Sequence, residues 1–207
     1  MSTKDQSFLE ELGSLIAGEV LSDTYTLGMY ATDASIYQIR PRVVVFPKDQ
    51  EDVRNAVKVA SKFEVTILPR GAGTSLAGQT VGNSMVLDFS KFMNQLLELN
   101  APEKWVRVQP GIARDDLNAL LAPHGLHFAP DPATSSRANV GGMVGNNSSG
   151  TKSILYGKTV DHILEAEVLL SDGSCLKFKD QTLSSVQEIA TGSDREAEIY
   201  REISRIV

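Results

Sequence analysis

The eleven residues from Pro69 to Gln79, PRGAGTSLAGQ, follow an apolar run, residues 65–68, that reads as a buried strand. Gly71 and Gly73 stand two apart, Thr74 and Ser75 come next, and Gly78 lies beyond them. Few of these side chains are bulky, so many backbone N–H groups can face one ligand. A loop of this kind wraps an anion with amide dipoles, as phosphate-binding nests do. Two commoner phosphate loops fail here on particular residues. Gly73 to Thr80 fits G-x-x-x-x-G-K-[ST] except at Gln79, which stands where the phosphate-binding lysine belongs; this argues against a nucleoside triphosphatase. The pattern G-x-G-x-x-G begins at Gly71 and breaks at Leu76. Asp88 ends the next apolar run, where a ribose-binding acid could sit. The span before it is short and interrupted by Gly78 and Gly82, which leaves no room for a crossover helix.

A second stretch has the same character. Val140 to Thr151, VGGMVGNNSSGT, is built of Gly, Asn and Ser, and Tyr156-Gly157 follows it. Taken alone, Asn146 to Ser149 could be an ordinary self-bonded turn, and the 69–79 loop a mobile surface turn. Two long small-residue loops in one chain suggest instead a ligand lying between two halves and touching backbone in both.

With Asp33-Ala34-Ser35, the run Arg42 to Pro47, Val108-Gln109-Pro110-Gly111 and Pro130-Asp131-Pro132-Ala133, these stretches form an ordered set from Tyr30 to the C-terminus. The set resembles the FAD-binding domain of the vanillyl-alcohol-oxidase, or PCMH-type, flavoproteins. It is most similar to the D-lactate, glycolate and D-2-hydroxyglutarate dehydrogenase branch, and there to large bacterial proteins that fuse a flavin oxidase to an iron–sulfur region. The resemblance implies that backbone amides of Arg70, Gly71, Ala72, Gly73 and Thr74 cradle the FAD pyrophosphate, with Ser75 and Gln79 nearby. Pro130, Pro132 and Thr134 would approach the flavin and ribityl chain. Gly141, Gly142, Asn146 and Ser149 would line the cofactor, and Ile163 would offer backbone to the adenine. Thr74 stands where some members carry a histidine bonded to the flavin, so the expectation is noncovalent FAD. The implied reaction is oxidation of a small D-2-hydroxy acid by hydride transfer to the flavin. Electrons would then pass to an iron–sulfur centre, a quinone or oxygen. Two alternatives are an NADPH-using reductase on the same fold and a nucleotide-binding module without redox chemistry.

Composition agrees with a globular enzyme domain. The chain has 207 residues, 42% apolar, with 20 Lys+Arg against 26 Asp+Glu. A formal charge of −6 without a basic cluster argues against nucleic acid. No apolar run approaches membrane-spanning length and the first residues are polar, so the expectation is a cytoplasmic protein, membrane-associated at most when intact. The single Cys175 cannot hold an iron–sulfur cluster, which would belong to a downstream region. His124, His127 and Asp131 do not have a standard zinc spacing.

The elements needed to position the two loops can be read from periodicity. A helix over Phe8 to Ile16 is expected to dock late or stay mobile. Val43 to Phe46 reads as a strand. A helix then starts at an Asp49 cap, with Val53, Ala56, Val57, Ala60 and Phe63 at helical spacing. Strands at 65–68 and 85–88 complete a small parallel strand–helix lobe. A hairpin of Leu96–Leu99 with Trp105–Val108 and a helix at Arg114–Leu121, packing Leu117, Leu120 and Leu121, begin a mainly antiparallel lobe. In the hairpin 163–179, a three-residue loop Ser171-Asp172-Gly173 sets Val168 beside Leu176 and Glu167 beside Lys177, which keeps each face uniform. Ser193-Asp194-Arg195-Glu196 reads as a capping box before a last helix bearing Tyr200, Ile203 and Val207. The expected architecture is α+β: an N-terminal helical segment 1–29 and FAD-binding subdomains 30–100 and 101–207, with FAD between them. The chain ends on apolar residues without a helix-stopping glycine, so it is expected to be truncated before a substrate-binding cap. No catalytic residue can be named among its positions.

Overall fold

A computed structural model describes residues 3–206. The chain divides into two compact units, Met1–His162 and Ile163–Val207. In the first, the elements run α1 (Thr3–Leu15), β1 (Glu19–Leu21), α2 (Thr24–Met29), β2 (Val43–Phe46), α3 (Gln50–Phe63), β3 (Ile67–Arg70) and β4 (Met85–Asp88). They continue with β5 (Leu96–Asn100), β6 (Trp105–Val108), α4 (Arg114–Leu121), α5 (Val140–Asn146) and α6 (Ser153–Tyr156). The second unit holds β7 (Glu165–Leu169), β8 (Cys175–Lys179), α7 (Leu183–Ile189) and α8 (Arg195–Ile206).

The main sheet has the order β1-β2-β4-β3. β4 lies between β2 and β3 and is parallel to both. Every residue of β2 and β4 is buried, so β2 reads as an unbroken apolar run and β4 as one that ends on Asp88, as central parallel strands do. Val43, Val45, Met85 and Leu87 pack against α1 and α3, while Val44, Phe46 and Val86 face Leu27 of α2. The Asp49 cap is present: its carboxylate accepts from Asp52 N–H. Asp52 is itself buried and accepts from the N–H groups of Ala17, Gly18 and Lys48, tying the α1–β1 junction to the start of α3.

Several expectations change. The N-terminal helix begins earlier than Phe8 and is docked, because Phe8 and Leu12 are core residues, 2% and 0% exposed. The third strand begins at Ile67 rather than Val65; Val65 is buried ahead of it. Leu120 is exposed, and α4 packs through Leu117 and Leu121. The stretch from Val140 is not a loop at its start but α5, held by buried Val140 and Met143.

The second unit is a hairpin followed by two helices. Its register is as expected, Val168 opposite Leu176 and Glu167 opposite Lys177. Leu170 N–H donates to Ser174, and Gly173 takes the left-handed φ of +85°, which leaves a three-residue loop. The last helix is capped by Asp194, not Ser193: the Asp194 carboxylate accepts from Ala197 N–H. Tyr200 is buried; Val207 lies outside the described residues.

Candidate functional site

Arg70 and Asp88 are paired at the carboxyl ends of β3 and β4, and the glycine-rich loop leaves from that edge. Open α/β sheets place ligands there. Among the described residues, the N–H groups of Gly71, Ala72, Gly73 and Thr74 donate to no protein acceptor. The loop is nevertheless fixed. Gly73 carbonyl accepts from Ala34 N–H, and Ser75 Oγ accepts from Ala77 and Gln79. Asp33 Oδ2 accepts from Thr80 N–H and Oγ–H, while its Oδ1 accepts from Ser35 N–H. Burial works against the Asp33 charge, but the hydrogen bonds from Ser35 and Thr80 outweigh it and hold the carboxyl below its ordinary range.

The sole cation of this loop is committed to structure. The Arg70 guanidinium donates to the carbonyls of Thr32 (2.8 Å), Thr80 (2.9 Å) and Tyr30 (3.3 Å). It also stacks 4.9 Å from the Tyr30 ring centre. A side chain at Gly73 would come within 2.6 Å of this guanidinium, and Gly73 also has a positive φ of 65°, so two independent constraints select glycine. Beneath the loop, Tyr30 Oη donates to Asp88 Oδ2 at 2.6 Å, and Ser90 donates twice to Asp88 Oδ1. Burial, and then the Asp88 carboxylate, push the Tyr30 phenol well above the usual tyrosine range, so it stays a donor. Asp88 is therefore an internal anchor.

The facing wall is α5 and the turn after it. Gly141 N–H donates to Pro110 carbonyl, and a Cβ on Gly141 would lie 2.6 Å from Pro110 Cβ. Gly142 and Gly145 differ: added side chains there would meet nothing within 4 Å. Glycine inside a helix costs about 1 kcal/mol relative to alanine, so neither packing nor helix propensity accounts for these two. Asn147 adopts the left-handed φ of 46° and its Oδ1 accepts from Val160 N–H. Ser148 carbonyl accepts from both N–H and Oγ–H of fully buried Thr159. The turn is pinned from behind while its front faces the glycine-rich loop.

Between these walls lies a cavity of about 700 Å³, within the range of small-molecule and cofactor sites. It brings together Arg70, Gly71, Ala72, Gly73, Thr74, Ser75, Gln79, Pro132, Thr134, Gly141, Gly142, Asn146 and Ser149. Pro130 is outside the lining: it is buried, and its carbonyl accepts from Arg114 Nε. Ile163 belongs to the second compact unit. Thr80, Phe89, Pro110, Asn139 and Gly145 also line the cavity and were not named as cofactor-binding residues from the sequence. For Gly145 a signal existed, since Gly141, Gly142 and Gly145 share one face at helical spacing. No group of His, Cys, Asp or Glu that could hold a metal occurs among the described residues.

The lining fits FAD. Arg70 is its one formally charged residue, and free amides replace fixed cations around an anion. The bare positions at Gly142 and Gly145 leave space for a flat ring system to lie close to backbone. Asn139 adds a buried acceptor, Oδ1, with no partner.

Comparison with known proteins agrees. The FAD binding domain family matches residues 41–179. The D-2-hydroxyglutarate dehydrogenase of Pseudomonas putida is 42% identical over 94% of this chain, and the chain spans 20% of that protein's length. A glycolate oxidase subunit of Escherichia coli is 34% identical over 81% of this chain and 34% of its own length. Among solved structures, an alkyldihydroxyacetonephosphate synthase superimposes with a TM-score of 0.76 at 21% identity, covering 94% of this chain and 40% of that one. The fold is shared with p-cresol methylhydroxylase, at a TM-score of 0.72. The chain belongs to the FAD-binding domain family and has the PCMH-type fold.

Proposed function

We propose that this FAD-binding domain serves an oxidoreductase acting on a D-2-hydroxy acid of the D-2-hydroxyglutarate, D-lactate or glycolate class. The carrying observation is the row of free amides at Gly71 to Thr74 facing the bare glycines of α5 across one cavity. The names of the relatives support the substrate class. Bound flavin would supply the acceptor for the electron pair leaving the substrate carbon. The chain's own residues do the holding. Amides of Arg70 to Thr74 take the pyrophosphate, with Ser75 and Gln79 beside it. Pro132 and Thr134 border the flavin and ribityl region, and Gly141, Gly142, Asn146 and Ser149 line the cofactor. Ile163 offers backbone to the adenine. Residues 30–100 and 101–207 act as the two FAD-binding subdomains.

FAD is held without a covalent bond, since Thr74 offers no imidazole to the ring. Substrate ligands and the base that takes the hydroxyl proton lie in the part of the protein outside this chain. An iron–sulfur cluster in that part, a quinone or oxygen receives the electrons. The protein works in the cytoplasm, with any membrane attachment made by the longer protein.

The test is a visible absorption spectrum of the chain mixed with FAD and desalted. A retained flavin double band that passes to the supernatant on acid precipitation is expected. Absence of flavin both from this chain and from a longer protein that includes it would overturn the proposal.

A further inference from the structure

Asn139 sits at the junction of the two cavity walls, directly before α5, and is 6% exposed. Its Nδ2 donates to Gly111 carbonyl at 2.7 Å, which fixes the amide plane. The opposite atom, Oδ1, is buried and has no hydrogen-bond partner, alone in that respect among the described side chains. The main chain of Gly71 covers it so closely that a Cβ there would come within 2.4 Å of Oδ1. Buried acceptors are nearly always paired, because leaving one unmade forfeits its interaction with water.

Oδ1 thus lies behind Gly71, the first free amide of the anion-wrapping loop, at the wall of a cavity that Asn139 helps to line. An amide oxygen there takes a donor and repels a phosphate. FAD has hydroxyl donors within a few bonds of its pyrophosphate, on the ribityl chain and on the adenosine ribose. The flavin side is favoured because Asn139 adjoins α5, whose bare glycines suit the ring. Resting on the FAD reading above, we propose that Asn139 Oδ1 accepts a hydrogen bond from a ribityl hydroxyl of bound FAD. This bond requires the main chain of Gly71, which carries no side chain, to move off Oδ1 when FAD binds. Asn139 would then report the position of the ribityl chain relative to the pyrophosphate, which the amides alone do not fix.

The experiment measures binding of FAD, of three FAD analogues each lacking one ribityl hydroxyl, and of ADP, to the wild-type chain and to Asn139→Ala. Flavin fluorescence follows the flavins and calorimetry follows ADP. The wild-type chain should bind one analogue about three- to tenfold more weakly than FAD, the worth of one neutral hydrogen bond. In Asn139→Ala that ratio should fall to about one, while ADP binding is unchanged. Asn139→Ser provides the same ratio if the alanine variant does not fold. Equal binding of FAD and all three analogues to the wild-type chain would overturn the inference. So would a variant that keeps the wild-type ratio, or one that weakens ADP as much as FAD, since the side chain would then act only through Gly111. Failure of the wild-type chain to bind FAD at all would instead remove the reading on which the inference rests.

Discussion

Arg70 offers a test of whether its charge or its geometry matters. A positive side chain beside a pyrophosphate loop suggests an ion pair, yet here the guanidinium is turned onto three carbonyls and the Tyr30 ring. Arg70→Lys keeps the charge and loses the fork. The two short bonds, to Thr32 and Thr80, contribute about 1 kcal/mol each after exchange with water. Stacking on Tyr30 adds about 0.5–1 kcal/mol. Lysine can keep at most one of those short bonds and little of the stacking, so its cost is about 1.5 kcal/mol; alanine costs about 2.5 kcal/mol. For a chain of this size the lysine variant should melt roughly 3–6 °C lower. These bonds tie the start of the loop to its far end at Thr80 and to the 30–32 segment, so FAD affinity should fall about tenfold in the lysine variant, with little dependence on salt. Thermal melting and flavin titration at low and high salt measure both effects. A lysine variant that binds FAD like wild type, beside an alanine variant whose loss disappears at high salt, would refute the staple and restore the ion pair.

Gly142→Ala should stabilise the chain by up to about 1 kcal/mol through helix propensity and weaken FAD at least about tenfold by projecting into the cavity, as read by melting and flavin titration. Asp52→Ala leaves the N–H groups of Ala17, Gly18 and Lys48 without their acceptor and should cost about 4 kcal/mol in urea unfolding. In an alkaline absorbance titration, Tyr30 should stay silent near pH 10, where ordinary tyrosines ionise, so Tyr30→Phe should leave the amplitude there unchanged. Since its folded pKa is raised, its contribution to stability is complete below pH 10 and fades as pH climbs toward the folded value. Asp33 has the opposite sign. Its folded pKa is lowered, so its contribution is present above about pH 4 and is lost as pH falls through the folded value. The stability gap between wild type and Asp33→Asn, measured in urea at neutral and acid pH, should therefore close in acid.

Elements whose side chains carry their own instructions were legible in the sequence. Asp49 caps α3, and matching of faces set the register of the β7–β8 hairpin. Elements made by their surroundings were not. β1 has three half-buried residues and exists through its pairing with β2. α5 is glycine-rich and is helical because Val140, Met143 and the bond to Pro110 hold it from outside. In the last helix Ser193 and Asp194 both suit a cap by type, and geometry chose Asp194. The loop at 69–79 was visible from composition, but the commitment of the Arg70 guanidinium to main-chain carbonyls was not, because those carbonyls lie some ten and forty residues distant. Asn139 was invisible for a similar reason: its meaning lies in an atom that lacks a partner.

The sheet order has a consequence for synthesis. β4 is the last of the four strands to leave the ribosome and yet occupies a central position, between β2 and β3. Until residues 85–88 are available, β2 can pair only with β1, and β3 has no neighbour in the sheet. A nascent chain that stalls before Met85 would expose the four apolar residues of β2 on an open edge, a template for pairing with other chains. The same insertion brings Arg70, where the glycine-rich loop departs, beside Asp88. Translation pauses that fall once residues 85–88 have emerged from the ribosome would give this strand time to insert, whereas pauses before it emerges would favour aggregation.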